Sequence, residues 1–272
     1  MKTLYFDLEH GSQTLGGPED IHELFGYPLL APNTWDAFNA VLGKLYTKKK
    51  VQVIKRIGTM DIPEESIQII PREGTQVDAL IIDTFSELSK KYMRSLVNER
   101  TGTMKLQDWG KLKNALDVLL EKVTRIPGTV ICNVHAKLQT IDDGTNKILP
   151  YIDGSTKEDI SKWFDFVLYT KAVTKTSGTS YHWVSERTEM YDHAKDRTQL
   201  LGATIPQDFQ LVLDAARSRG FEGCKVLVIG SPGSGKTYAL KTLVEPTKKK
   251  RTTKTTKPVT RKVTQPTEGA IA

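Results

Sequence analysis

The chain is poor in cysteine, with Cys132 and Cys224 alone in 272 residues. Both lie in apolar, strand-like runs, so buried free thiols of an intracellular protein are expected rather than a disulfide. No stretch approaches 18 continuous apolar residues, which argues against a helical membrane span. The start, MKTLYFDLE, meets an acid by Asp7, too early for the apolar core of a signal peptide, and a cytoplasmic location is expected. The body of the chain also lacks a charge excess. The formal net charge is +7, but Pro246 to Ala272 carries eight Lys/Arg against one acid, Glu268, so the remainder is neutral overall. With three prolines, many threonines and almost no large apolar residues, 246–272 reads as a disordered tail. It is either a solubilising terminus or a tether to nucleic-acid phosphates. Residues 1–245 suffice for one α/β domain whose core needs no staples.

What is present is an alternation of buried strands and amphipathic helices. TLYFDL (3–8) is a first strand. Thr34 caps a helix in which Trp35, Phe38, Val41, Leu42 and Leu45 recur at helical spacing. Residues 51–57 and 67–70 suggest two short strands of a peripheral hairpin. VDALIID ends a buried strand at Asp83; helices over 85–96 and 106–123 follow, then the strand PGTVICNVHA ending at His135. A long polar loop is expected from Lys137 to Lys157. FDFVLYTKAV and SYHWVSER form a hairpin about Ser177 and Gly178, and a helix from Gln207 to Ser218 leads into a last strand. This alternation predicts a mainly parallel sheet flanked by helices.

The last strand carries the most specific signal. KVLVIGSPGSGKT (225–237) is a short apolar strand running into G-x-x-x-x-G-K-T, with a helix-prone stretch behind it. Gly230, Ser231, Pro232, Gly233, Ser234 and Gly235 form a loop whose backbone N–H groups can turn in around phosphates. Lys236 reaches the β/γ-phosphates, the Thr237 hydroxyl ligates Mg²⁺, and Tyr238 adjoins the nucleotide. The motif lies close to the end of the sequence, so the other strands of a P-loop fold, and the acidic residue that helps hold the metal, are expected upstream. The order of the domain is therefore expected to be circularly permuted.

Hydrolysis of ATP needs a metal site, a polarised water and positive charge on the γ-phosphate as well as a phosphate cradle. Asp83, an acid closing an apolar strand, has the Walker B form for holding Mg²⁺. Glu9, at the end of FDLE, opens into the crevice beyond the strand ends, where it can activate water; Asp7 competes but sits inside the strand and reads as structural. His135 is either a γ-phosphate sensor or a satisfied hydrogen-bonder. Lys195 and Arg197, in HAKDRT, are either a γ-phosphate clamp or a solvated basic turn.

Together the P-loop, FDLE, LIIDT, DWGKLKNAL, NVHAK and AKDRT resemble the RecA-like ATPases, particularly phage recombination ATPases that accompany single-strand annealing, over about Met1 to Val244. The resemblance implies that Glu9 is the catalytic base, His135 the γ-phosphate sensor, and Lys195 and Arg197 a pair delivered to a neighbouring subunit of a homo-oligomeric ring or filament. It further implies that loops over 97–107 and 137–157 line a path for single-stranded DNA. In relatives the P-loop strand and helix come first; here they come last. The expected function is a Mg²⁺-dependent ATP hydrolase of DNA recombination or replication, in the host cytoplasm if phage-encoded. A nucleotide-binding regulatory protein with little turnover, or a P-loop small-molecule kinase, are the alternatives.

Overall fold

The computed structural model describes residues 1–98, 100–141, 144–176 and 178–244. The expected tail from Pro246 onward lies outside them, as does Ser177 of the expected hairpin turn. The strands are β1 (Thr3–Asp7), β2 (Tyr46–Ile57), β3 (Met60–Pro71), β4 (Ala79–Asp83), β5 (Thr129–Thr140), β6 (Asn146–Pro150), β7 (Phe166–Lys175), β8 (Gly178–Val184), β9 (Lys195–Asp196), β10 (Thr204–Pro206) and β11 (Lys225–Gly230). The helices are α1 (Pro18–Phe25), α2 (Trp35–Leu45), α3 (Phe85–Leu96), α4 (Leu106–Thr124), α5 (Thr156–Asp159), α6 (Phe209–Ser218) and α7 (Lys236–Ala239); the single turn of α7 continues as a 3₁₀ turn, Leu240–Leu243.

The near-continuous apolar runs pair where both faces can be covered. They make the parallel centre of a sheet in the order β1-β4-β5-β11-β7, extended through antiparallel β8 and β10; β6 pairs with β5 and β9 with β7. The strand preceding the P-loop, last in the chain, is thus central in space, between the strands carrying His135 and Tyr169. Strand period sorts the core into two layers. Leu4, Phe6, Leu80, Ile82, Val130, Cys132, Leu227 and Ile229 face α2, α3 and α4; Tyr5, Ile81, Ile131, Val226 and Val228 face α1, α6 and α7. Odd-numbered Asp83, Asn133 and His135 therefore look toward the layer of the P-loop helix. Both cysteines are free and buried, and burial pushes the Cys132 thiol up to about 12 and that of Cys224 up to about 11.

Caps set the helix starts. Thr34 Oγ1 accepts from Ala37 N–H at 3.1 Å, Thr84 Oγ1 from Glu87 N–H at 3.4 Å, and Asp208 Oδ1 from Gln210 N–H at 2.9 Å.

Three elements depart from the sequence reading. The segment between β1 and α2, for which no element is expected, contains α1, which starts at Pro18 with Asp20 accepting from Gly17 N–H at 2.7 Å; the preceding glycines hide a start for which proline is well suited. β2 and β3 are 12 residues each, much longer than expected, because cross-strand pairs such as Lys50–Glu65 and Arg56–Asp61 (each 2.8 Å) extend the ribbon through residues with no apolar alternation. The expected polar loop over 137–157 is partly ordered: β5 runs on to Thr140 and turns back as β6, held by backbone bonds that a polar sequence does not advertise.

Candidate active site

The strand register decides which polar residues meet. Asp7 pairs with Asp83 and Asp83 with Asn133, so three neighbouring strands bring polar groups to one level, while Gly230 pairs with His135 two residues further along. The P-loop leaves the sheet there. Its first glycine is tightly enclosed: a Cβ on Gly230 would lie 1.7 Å from Thr170 Oγ1 and 2.6 Å from Ser234 Oγ. Thr170 Oγ1 donates to Ile229 O at 3.2 Å and to Ser234 Oγ at 2.9 Å, tying β7 to the loop. Gly233 and Gly235 take φ of 72° and 84°, a region side chains disfavour.

Lys236 is 6% exposed, and its ammonium donates to the carbonyls of Gly230 (2.8 Å) and Ser231 (3.0 Å). Burial pulls it below the ordinary lysine range, against the nearby charges of Asp83 and Glu9. Asp83 is 2% exposed and accepts three hydrogen bonds: from Thr237 Oγ1 at 2.7 Å, Tyr5 Oη at 3.0 Å and Asn133 Nδ2 at 3.0 Å. Desolvation raises its pKa; the three donors work against that shift. The Tyr5 phenol is itself pushed up by burial and by the Asp83 charge, so it stays a donor.

Glu9 lies just beyond β1. One of its oxygens, Oε1, meets His135 Nε2 in a short contact and accepts from Thr84 Oγ1 at 2.6 Å. Burial raises its pKa, but the bonds from His135 and Thr84 outweigh it, and the carboxyl ends below the usual range. The neighbouring Asp7 faces its own loop instead, accepting from the N–H groups of Glu9 (3.2 Å), Gly11 (3.0 Å) and Ser12 (3.0 Å). Its two oxygens shape the turn that carries Glu9.

A cavity of about 710 Å³ joins these groups, with Glu9, Asp83, His135, Lys236 and Thr237 in its lining. Asp83 and Thr237 offer adjacent hard oxygens, the donor set Mg²⁺ takes when phosphates and water complete its shell. Among the described residues no cluster of three or more His, Cys, Asp or Glu side chains could hold a metal by itself.

Lys195 and Arg197 are not brought to this cavity. Their short strand pairs with Phe166 and Val167, the first residues of β7, whereas the P-loop sits beside Thr170. Lys195 Nζ donates to the carbonyls of Phe164 (2.7 Å) and Ser161 (3.3 Å), and Arg197 pairs with Asp165 at 2.7 Å. Within one chain the pair braces the start of β7, away from this cavity. Sequence reasoning also missed Tyr5, Asn133, Thr84 and Thr170, which hold the named residues in place. Asn133 alone left a trace, as a polar residue inside the apolar run VICNV.

A P-loop on the central strand of a mainly parallel sheet, with a buried strand-end carboxylate on the loop's threonine, defines a nucleotide-binding P-loop ATPase. The chain matches the AAA domain family over residues 1–198 and belongs to it. That match ends before the P-loop strand, which lies at 225–230. Comparison with curated proteins and with solved structures finds no match.

Proposed function

We propose that the protein is a Mg²⁺-dependent ATP hydrolase with a circularly permuted RecA-like layout, acting on single-stranded DNA in phage-type recombination or replication as a homo-oligomer in the cytoplasm. The observation that carries the hydrolase reading is the meeting of Lys236, Thr237, Asp83, Glu9 and His135 around one cavity from four separate segments. The permuted layout is supported by the spatial strand order β4-β5-β11, the order the resemblance implies for Walker B, sensor and P-loop strands. The DNA and oligomer readings rest on the resemblance and on the basic stretch after residue 245.

In this reading Lys236 holds the β/γ-phosphates on the P-loop, and Thr237 with Asp83 would hold Mg²⁺, which supplies neutralisation of phosphate charge when bound. Glu9 takes the proton of the attacking water, and its free Oε2 is available for that while Oε1 is fixed by His135 and Thr84. His135 links the base to the β5–β6 hairpin, because Tyr151 N–H donates to the His135 carbonyl at 2.6 Å. A nucleotide-binding regulatory protein with little turnover is favoured by one observation: Lys236 is the only Lys or Arg among the described residues lining the cavity, so an isolated chain lacks a second cation for the γ-phosphate.

Phosphate release with and without single-stranded DNA tests both readings. Lys236→Ala is expected to lower ATP binding at least tenfold, about 1.4 kcal/mol. Glu9→Gln is expected to keep binding and lose roughly 10²–10⁴-fold in turnover. Because the Glu9 carboxyl sits below its usual range, it stays ionised to lower pH, so any acid limb that Glu9 itself imposes on turnover is expected below the ordinary glutamate range. Full turnover in Glu9→Gln would remove Glu9 as the base, and wild-type binding without turnover under every condition would favour the regulatory reading.

A further inference from the structure

The cavity is also lined by Tyr181, Pro206, Gln207, Tyr238 and Thr242, which the phosphate chemistry leaves unused. Resting on the nucleotide reading above, the geometry points to a base subsite there, with the base stacked on Tyr181 and its exocyclic amino group read by Gln207, so that adenine is accepted over guanine.

Placement of Tyr181 follows from strand period. It is two residues from Trp183 on β8 and shares its face. Trp183 is fully buried against Phe209, with ring centroids 4.7 Å apart. Tyr181 lies one step nearer the hairpin tip, where that face overhangs the P-loop: a Cβ built on Gly235 would come within 3.6 Å of Tyr181 Cγ. Tyr181 nevertheless remains 41% exposed. It therefore lies close to the loop and still offers surface to the cavity. Tyr238 directly follows the Mg²⁺-binding threonine and is 65% exposed, with Lys241 Nζ 5.2 Å from its ring centroid. A nucleotide whose phosphates lie on Lys236 and Thr237 must send its base past one or both of these rings. The cavity volume of about 710 Å³ is within the range of sites that enclose a ligand of this size.

Gln207 adds a direction to the recognition. Its Nε2 donates to Ser234 O at 3.2 Å, and because a carbonyl can only accept, the amide nitrogen must face the loop. Its Oε1 is thereby left as an acceptor beside Gly235, where a Cβ would lie 2.9 Å from it. An acceptor held in that way suits the amino group of adenine. Guanine presents a carbonyl oxygen at the same ring position, which would meet it as a second acceptor.

Calorimetric titration of the full-length chain with Mg²⁺ and ATP, GTP or inorganic tripolyphosphate tests this subsite. The wild type is expected to bind ATP at least tenfold more tightly than GTP. Tyr181→Ala should lose roughly five- to a hundred-fold in ATP affinity, as for loss of one base–aromatic stack, with tripolyphosphate affinity unchanged and Tyr181→Phe restoring ATP binding. Tyr181→Ala binding ATP like the wild type, or losing tripolyphosphate in equal measure, would overturn the stacking role. Equal wild-type affinity for ATP and GTP would overturn the reading by Gln207. Failure of the P-loop itself would show separately, as wild-type protein binding tripolyphosphate no better than Lys236→Ala, and the base subsite would fall with it.

Discussion

At the scale of single residues, the site is organised around a charge the fold disfavours. Asp83 is almost fully buried, and its three donors only partly offset the loss of solvation that raises its pKa. A carboxyl whose folded pKa lies above its unfolded one binds its proton more tightly when folded. Its contribution to stability therefore falls as pH rises from the unfolded value, about 3.9, through the folded one. Asp83→Asn removes that charge in the same shape. Its stability is expected to be at or above wild type by on the order of 1 kcal/mol at neutral pH, and to lack the decline from this group. Nucleotide binding in Mg²⁺ should drop at least tenfold in the same variant. Urea unfolding at several pH values checks the first part; an Asn variant clearly less stable than wild type would mean that Thr237, Tyr5 and Asn133 more than compensate the buried charge. Glu9 shows the opposite balance, since its two donors outweigh a shallower burial.

At the scale of elements, the P-loop is shaped by what packs against it as much as by its own glycines. Gly230 has no room for a side chain because Thr170 of β7 closes over it, and Thr170 is also what fastens Ser234. Gly230→Ala must displace a hydrogen-bonded threonine, and a destabilisation of roughly 1–3 kcal/mol is expected, as for other overpacked sites, with a matching loss of ATP affinity. Gly233→Ala meets nothing within 4 Å and suffers only the strain of its φ of 72°, so it should be the milder variant. Thermal unfolding of the two side by side checks the order; a reversed order would show that loop conformation outweighs the Thr170 contact. The β2–β3 ribbon illustrates the other extreme, with Ile54, Ile57 and Met60 exposed near its tip and only its base, through Tyr46 and Ile69, in the core.

At the scale of the whole molecule, chain order and spatial order part company. β11 is the last strand, yet it hydrogen-bonds β5 on one side and β7 on the other. Removing it divides the sheet into β1-β4-β5 and β7-β8-β10 with their facing edges unpaired. A chain ending at Cys224 is therefore expected to lose cooperative unfolding, although it contains all of the region matched to the AAA domain family. A chain ending at Glu245 keeps every described strand and should unfold like the full-length protein. It should also bind single-stranded DNA more weakly, with a flatter salt dependence, at a slope of roughly 0.7 per lost phosphate contact. Cooperative unfolding of the shorter chain would refute the central role of β11; unchanged DNA affinity of the longer one would leave the basic stretch without a DNA role.

Much was legible in the sequence because local chemistry dictated it. The strands ending at Asp7, Asp83 and Gly230 are mostly apolar runs, and G-x-x-x-x-G-K-T carries its own backbone requirement, so strands, loop and central residues could be read without coordinates. Other features were not local. The β5–β6 hairpin and the ends of β2 and β3 are polar ladders whose backbone bonds leave no apolar period. The partners of Asp83 come from residues 5, 133 and 237, and only the register of β1, β4 and β5 and the placement of α7 bring them to one carboxylate. The same register separates Lys195 and Arg197 from the cavity, because β9 joins β7 at the end away from the P-loop. Sequence by itself determined which groups could do chemistry here, since side-chain type and backbone freedom are properties of each residue. Only the tertiary structure decided which of them meet, because strand order and register are set by burying both faces of the whole sheet at once.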